Sequence, residues 1–389
     1  MGNLIRMKVM SLRHAMWGAA GLLALVLAGF GAWLLRLPAP VAAEANPLAQ
    51  AETDAMLAAL KPPKRKRPLV AVVGLNDATE TTDYLMPTGI LRRADVADVL
   101  MLAKQAGAVR LYPALSVQAD TTIADFDARH AEGADYVIVP AMSRDDDPAV
   151  LAWLRAQAGK GAVIIGVCAG AKVVAAAGLL DGRRATTHWY YRQDLFSRHP
   201  AASYVANRRM AVDGNVVTTT GISASMPTML TLIEAIAGRR RAAEVAHDLG
   251  VSRWDASHAS DAFAFTRPFA ATVLGNVLAS WKKEEIGIEL HPGVDEVSLA
   301  LVADAWSRTY RSRAVTLAPT TAAVESRNGI RVLPDELAVN RQEKGRTLAF
   351  VDQKAAHALD QSLGAIEARY GRTTADVVAL QLVYSRRQA

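Results

Sequence analysis

Cysteine is almost absent from this chain, since Cys168 is the single one among 389 residues. One thiol cannot form a disulfide within the chain, and it excludes a cysteine-rich zinc site. The eight histidines are scattered and form neither a His-Glu-x-x-His pattern nor a paired spacing. We therefore predict no metal and no cofactor. The hydrophobic content of 51% is, by contrast, sufficient for one or two substantial cores.

The cysteine lies between an apolar run over 162–167 and a run of small residues over 169–178. This order predicts a buried strand, a tight turn at Cys168 and a helix, with Ala169 and Gly170 allowing the sharp bend. A thiol at a helix N-terminus faces unpaired N–H groups, which lower its pKa and favour the nucleophilic thiolate. Cys168 is therefore a candidate nucleophile. The alternative is a small apolar residue buried in the core.

The N-terminal part contains 21 residues without a charge, at positions 15–35. As a helix this run is about 31 Å long, which is enough to cross a hydrocarbon core of about 30 Å. Three basic residues precede it and favour a cytoplasmic N-terminus over 1–14. We expect a single-pass anchor in the inner membrane with the soluble body periplasmic. A cleavable signal peptide is the alternative, because residues 41–43 resemble a cleavage site.

Residues 36–67 are rich in proline and alanine and end in a basic run at 61–67. We interpret them as a linker whose basic run is either solvated or attracted to anionic lipid. From Pro68 onward, apolar runs alternate with helical patterns. This alternation predicts an α/β fold, a three-layer sandwich with a mostly parallel sheet. The predicted strands are 69–73, 109–112, 136–139, 162–167 and 215–219, and the predicted helices are 89–106, 147–159, 169–178, 190–198 and 224–249.

The soluble body divides into a unit over 68–250, a connecting segment over 251–284 with a helix near 268–283, and a unit over 285–389. In the last unit, strands at 286–290 and 314–317 enclose a helix at 296–306. Asn328-Gly329 predicts a hairpin, and a final helix covers about 355–384. This order matches the opening and closing parts of the first unit, so we interpret 285–389 as a partial second copy.

Several segments of the first unit resemble the ThiJ/PfpI (DJ-1) family of the class I glutamine amidotransferase-like, flavodoxin-like fold. They are Gly-Val-Cys-Ala-Gly at 166–170, the stretch 176–189 with its Thr-Thr-His-Trp ending, and 212–221. The resemblance covers about 68–250. It is closest to the branch of isonitrile hydratases and of the sensor domains of AraC-type regulators. Segments 291–300 and 370–382 look like the first and last parts of a second copy.

The resemblance implies that Cys168 is the nucleophile and that Asp83, at the end of the first strand, hydrogen-bonds its sulfur. The amide of Ala169 would be one oxyanion donor. The other residues implied at the site are His188 near the pocket rim, and Gly170 and Met142 as binding or oxyanion positions. In the second unit Ser298 occupies the position of Asp83, so we expect that half to be non-catalytic.

Three departures from the family pattern bear on activity. Ala169 stands where many hydrolases of the family have histidine or threonine, and Pro-Ala-Met at 140–142 replaces a paired-glycine turn. The late His-x-Glu pair of glutaminases has no counterpart around 220–222, so we predict no glutaminase activity. A general base is identifiable only if His188 reaches Cys168.

Three functions remain open. The first is a membrane-tethered, cysteine-dependent hydrolase or hydratase acting on a small electrophilic carbon. The second is a non-catalytic small-molecule-binding or sensory module, in which the partial copy replaces the second subunit of a homodimer or covers the pocket. The third is a transcriptional regulator, because residues 239–253 superficially match a helix-turn-helix. We interpret that segment as the closing helix of the first unit, and we expect no nucleic-acid partner.

Overall fold

A computed structural model describes residues 2–279, 281, 283–341, 347–348 and 353–386. The helices in these ranges are α1 Gly2–Arg36, α2 Gln50–Ala59, α3 Thr81–Ala94, α4 Ile123–Arg129, α5 Pro148–Gly159, α6 Gly170–Ala176, α7 Arg192–Arg198, α8 Ser225–Ala237, α9 Arg239–Leu249, α10 Arg267–Leu278, α11 Glu296–Ser307, α12 Ala355–Tyr370 and α13 Arg372–Gln381. The strands are β1 Leu69–Gly74, β2 Asp77–Glu80, β3 Asp98–Ala103, β4 Ala108–Tyr112, β5 Ser116–Gln118, β6 Thr121–Thr122, β7 Tyr136–Val139, β8 Val163–Gly166, β9 Arg184–Ala185, β10 Ser203–Tyr204, β11 Met210–Asp213, β12 Val216–Thr219, β13 Glu284–Glu289, β14 Ser312–Ala318, β15 Val324–Glu325, β16 Arg331–Leu333, β17 Glu336–Leu337 and β18 Thr347–Leu348.

The main sheet has the strand order β11-β12-β8-β7-β1-β3-β6. Neighbouring strands are parallel except at the β11–β12 edge. Side chains alternate between the two faces, as the pleat requires. Val70 and Val72 pack with α3 and α8, whereas Ala71 and Val73 pack with α5 and α6. The predicted α/β fold with a mostly parallel sheet between two helical layers is therefore confirmed.

The helix predicted over 89–106 is wrong in its second half. α3 begins at Thr81, ends at Ala94 and is closed by Asp95 in the left-handed conformation, with φ 50°. The apolar run that follows forms β3, which pairs in parallel with β1. A short apolar run buried on both faces carries no helical or alternating period, so pairing with β1 decides its structure.

Two long predicted helices are each divided by a glycine. The helix predicted over 224–249 is α8 and α9, separated at Gly238, and that predicted over 355–384 is α12 and α13, separated at Gly371. Both glycines have positive φ, 86° and 88°. An L-residue adopts this conformation only with strain, so the glycines mark the breaks.

Residues 50–67 are packed on the body and do not form the free linker that the composition predicts. α2 is attached by Arg208, whose guanidinium donates to both Glu52 carboxylate oxygens at 2.6 and 2.8 Å. In the basic run, Arg65 donates to Asp135 at 2.6 Å, and Asp135 is fully buried. The cations of this run thus include structural partners of acidic side chains.

The C-terminal unit has its own four-stranded parallel sheet, β17-β14-β13-β18. Its predicted hairpin is confirmed as β15–β16, and β16 pairs with β5 of the first unit. Helix α11 packs against α3 so closely that a Cβ at Gly89 would lie 2.6 Å from Glu296 Cγ. The two units therefore share one sheet and one helix–helix interface.

Residues 16–36 of α1 are long and apolar enough to cross a membrane, by length and composition. The end of this helix contacts α10. Arg267 donates to the carbonyl oxygen of Leu35 at 2.8 Å, and the Trp33 and Phe265 rings lie 6.2 Å apart.

Candidate functional site

Cys168 lies at the turn between β8 and α6, as the sequence predicts. Its backbone is in the left-handed region, with φ 57°. Two threonines fix this unusual turn: the Cys168 N–H donates to Thr219 Oγ1 at 3.1 Å, and Thr187 Oγ1 donates to the Cys168 carbonyl at 3.0 Å. Strained backbone of this kind is held in place where a side chain must be presented at a site.

Gly170 allows α6 to approach the end of β7. A Cβ at this position would lie 1.9 Å from the carbonyl oxygen of Val139. Its N–H donates to the Val167 carbonyl at 2.7 Å, so this amide is not available as the oxyanion donor that we expected. The Ala169 N–H, by contrast, lies near the Cys168 sulfur and acts to lower the pKa of the thiol, against a larger rise from burial.

Asp83 is fully buried in the first turn of α3, near Cys168. Its Oδ2 accepts the Ala141 N–H at 3.1 Å, while Oδ1 is buried and has no hydrogen-bond partner among the described residues. The expected hydrogen bond between Asp83 and the Cys168 sulfur is therefore not formed. Burial, followed by the charge of Glu80, raises the pKa of Asp83 well above its ordinary value. The site therefore favours the neutral carboxylic acid, which can donate a proton.

The thiol of Cys168 is also held in its neutral form. The residue is 5% exposed, and burial, Asp83 and Glu80 together raise the pKa of the thiol well above its ordinary value. The Ala169 N–H and Arg308 oppose this rise. The expectation of a thiolate favoured by the helix N-terminus is therefore wrong, because desolvation outweighs the amides of the short helix α6.

His188 is buried, with both ring nitrogens hydrogen-bonded to backbone groups. Nε2 lies 2.9 Å from the Gln381 carbonyl oxygen in α13, and Nδ1 accepts the Tyr190 N–H at 3.2 Å. Burial lowers the pKa of the imidazole to about 4. Since neither nitrogen is free to take the Cys168 proton, the geometry contradicts a role as its general base. His188 joins the site loop to the C-terminal unit instead.

In the turn over 140–142, it is the backbone of Ala141 that hydrogen-bonds Asp83. Met142 forms a bridge with Thr79, and the Ala141 carbonyl accepts the Glu80 N–H at 2.9 Å. The turn thus joins β2 to the end of β7. No contact in the described part of the chain places Met142 as an oxyanion donor, so that role stays a prediction.

A buried ionic network behind Asp83 is the part that sequence reasoning missed. Arg308 donates to Glu80 at 2.7 Å and to Asp304 at 2.6 Å, and Thr82 donates to the second oxygen of Glu80 at 2.8 Å. That oxygen also accepts the Asp83 N–H at 2.7 Å. The one sequence signal for this network is the four-residue spacing of Asp304, within the helix predicted over 296–306, and Arg308, which follows just beyond it.

Several tyrosine side chains lie close to the site. Tyr112 and Tyr190 are exposed, and Tyr191, which lies near Cys168, packs edge to face with Tyr190 at 5.1 Å. The Arg308 guanidinium lies 6.0 Å from the centre of the Tyr112 ring. These rings place aromatic surface with hydroxyl groups next to Cys168.

Comparisons with known proteins agree with the segments quoted from the sequence. The chain is 38% identical to the isonitrile hydratase of Pseudomonas putida over 94 residues, 24% of this chain and 40% of that protein. It is 37% identical to the HTH-type transcriptional regulator CdhR of Pseudomonas aeruginosa over 106 residues, 27% of this chain and 31% of the regulator. The chain thus spans less than half the length of these two relatives.

A longer match joins the chain to the Parkinson disease protein 7 homolog of Danio rerio, with 27% identity over 181 residues, 45% of this chain and 93% of that protein. Among solved structures, a DJ-1 superfamily protein from Salmonella typhimurium aligns with 27% identity and a TM-score of 0.43, covering 48% of this chain and all of that one. The family model described as the DJ-1/PfpI family matches residues 70–235. Residues 70–235 of this chain therefore form a domain of the DJ-1/PfpI family.

Proposed function

We propose that this protein adds water to a small, uncharged electrophilic carbon, such as that of an isonitrile, at a site formed by Cys168 and Asp83. The observation that carries the proposal is the unpartnered Oδ1 of Asp83. It belongs to a buried carboxyl that is held neutral near a thiol that is also held neutral. A buried acid with a free oxygen is suited to donate a proton to a bound molecule.

Two neutral groups suit an addition in which protons move as the new bond forms. The Cys168 sulfur attacks the terminal carbon of the isonitrile, Asp83 gives its proton to that carbon, and the thiol proton passes to Asp83. The product is a thioimidate. Water then adds to the same carbon and gives one proton to the nitrogen. The C–S bond breaks as the C=O bond forms, and the sulfur takes the second water proton. The net reaction joins one isonitrile and one water into an N-substituted formamide, so no oxidant or reductant is consumed.

We also propose that residues 285–386 are a partial second copy that acts as a built-in partner. The unit β13–α11–β14 repeats the order of β1–α3–β3, and α12 and α13 repeat the glycine-separated pair α8 and α9. Asp83 and Ser298 are each the third residue of their helix, and each N–H donates to the capping carboxylate, Glu80 or Asp295. The matching positions support the interpretation that Ser298 replaces the acid in the second unit.

The soluble body is proposed to be held outside the cytoplasm by α1 in the inner membrane. The length and composition of residues 16–36 and the basic residues before them support this arrangement.

A non-catalytic binding module is the second candidate function. The observation that favours it is the absence of a free base among the described residues near Cys168, since both nitrogens of His188 are occupied by backbone groups. In this alternative the pocket would hold a small molecule without turning it over.

The test uses the full chain in detergent micelles with cyclohexyl isonitrile as the probe, and it follows the formyl proton of the product by NMR. Cys168→Ala and Asp83→Asn should each reduce the rate by at least about 100-fold. The matched control is Asp98→Asn, an exposed carboxylate paired with Arg67. If the probe stabilises the protein against heat but no product forms, the binding module replaces the proposal. If the rate is unchanged in Cys168→Ala, the thiol is neither the attacking nucleophile nor the group released in the second step.

A further inference from the structure

The outer face of α10 is apolar along its whole length after its first residue. Its exposed residues are Arg267, Pro268, Ala271, Leu274, Gly275, Val277 and Leu278. Trp281 continues this face just beyond the helix, and Leu278 and Trp281 are 69% and 77% exposed. We call Ala271, Leu274, Leu278 and Trp281 the α10 stripe. A helix on the surface of a soluble protein normally places polar residues on this side.

The opposite face of α10 fixes its rotation. Phe269 is buried against the Trp189 ring, edge to face at 5.6 Å. The buried amide of Asn276 donates to the Thr309 carbonyl at 3.0 Å and to Thr374 Oγ1 at 3.1 Å. Turning the helix to cover its apolar side would break these hydrogen bonds, so the α10 stripe stays outward in the folded protein.

The stripe begins where the apolar helix α1 ends. Arg267, the first residue of α10, donates through its backbone N–H to the Pro38 carbonyl at 3.1 Å and through its side chain to that of Leu35 at 2.8 Å. The one charged group on this face is therefore occupied by the exit of α1. Trp33 and Phe265 continue the contact. These bonds hold the start of the stripe beside the last turn of the candidate span.

We infer that the α10 stripe lies in the interfacial region of the same bilayer that α1 crosses, and that it sets how the body is seated on the membrane. The inference rests on the proposed membrane anchoring. Leucine and tryptophan at helical spacing are suited to the boundary between headgroups and acyl chains. Two lysines follow Trp281 in the sequence, at 282 and 283, as is common at such a boundary.

The test places a single fluorescent probe in the full chain, reconstituted in liposomes. Because Cys168 is the only cysteine, Cys168→Ala provides a background in which Leu278→Cys can be labelled with an NBD dye. Thr320→Cys is the matched exposed control, because it lies beyond the C-terminal end of β14. Helix α10 lies at the other end of this strand, since Asn276 holds it near Thr309, before β14 begins. Leu25→Cys, within the candidate span, reports on α1 itself.

Quenchers carried on lipid acyl chains should quench the probe at 278 at least about threefold more strongly than the probe at 320, and the probe at 25 should also be quenched. Quenching at 25 with position 278 behaving like position 320 would overturn the inference and leave the anchor intact. No quenching at 25 would overturn the anchor as well. A blue-shifted probe at 278 that lipid quenchers do not reach, with cross-linking between chains, would assign the stripe to a second copy and reject the bilayer.

Discussion

Arg308 of the C-terminal unit and Glu80 of the first unit form a buried ion pair, with Nη2 2.7 Å from Oε1. The other oxygen of Glu80 accepts the Asp83 N–H, so the pair holds the first turn of α3 and the proposed acid with it. The C-terminal unit is thereby part of the site, although it contains no cysteine.

Replacing this arginine by an apolar residue of similar length should destabilise the protein strongly. Arg308→Met leaves Glu80 and Asp304 buried without their cation, which typically costs about 3–5 kcal/mol. The measurement is the free energy of unfolding in urea, with the full chain in detergent micelles. Adding Glu80→Gln and Asp304→Asn to the variant should restore part of the loss, because the uncompensated charges are then gone.

The control for Arg308 is Arg313, which pairs with Glu285 at an exposed position and has a side chain 56% accessible. An exposed pair contributes about 0–1 kcal/mol, so Arg313→Met should change the unfolding free energy little. Equal losses of unfolding free energy in the two variants would show that the buried Glu80–Arg308 pair stabilises the protein no more than an exposed pair does.

The predictable part of the fold is the part with a strong local pattern. The apolar runs at β7 and β8 and the small residues after Cys168 predict the elbow correctly, since a strand, a bend and a helix each leave a distinct signal. β3 could not be recognised in this way. Its run Val-Leu-Met-Leu is as compatible with a helix as with a strand, and only its place beside β1 decides.

The site was predictable to a smaller extent, because its electrostatics depend on contacts between distant segments. Cys168 and Asp83 follow from the family resemblance, but the Glu80–Arg308 pair joins residues 228 positions apart. The partner of His188 is a backbone carbonyl in α13, which no side-chain pattern reveals. Burial also reverses the expected thiol ionisation, and burial at a turn cannot be judged from residue types alone.

The histidine at the site loop should make stability depend on pH in a defined window. Burial lowers the pKa of His188 from 6.5 to about 4. Between these values the unfolded chain binds a proton that the folded protein does not, so stability falls as the pH falls from 6.5 to 4. The full effect is about 3 kcal/mol. At present Nδ1 of His188 accepts the Tyr190 N–H. Protonation of Nδ1 would turn it into a donor, so two N–H groups would face each other.

The measurement compares His188→Gln with the native protein by urea unfolding at several pH values. The stability advantage of the native protein should shrink as the pH decreases through this window. The exposed histidine His247 serves as a control, because His247→Gln removes no buried contact and should stay close to the native protein throughout. A native-to-variant difference at His188 that is independent of pH would contradict a buried neutral imidazole.

A single methyl group should be sufficient to disrupt the elbow. In Gly170→Ala the added Cβ would lie 1.9 Å from the Val139 carbonyl oxygen, and because that contact is with backbone, α6 or the end of β7 must move. We expect a loss of about 3 kcal/mol or more in unfolding free energy. Gly159→Ala, at the end of α5 with open space around it, should instead be neutral or stabilising by about 0.5–1 kcal/mol. If both variants unfold like the native protein, α6 does not press on β7, and the geometry that presents Cys168 must have another origin.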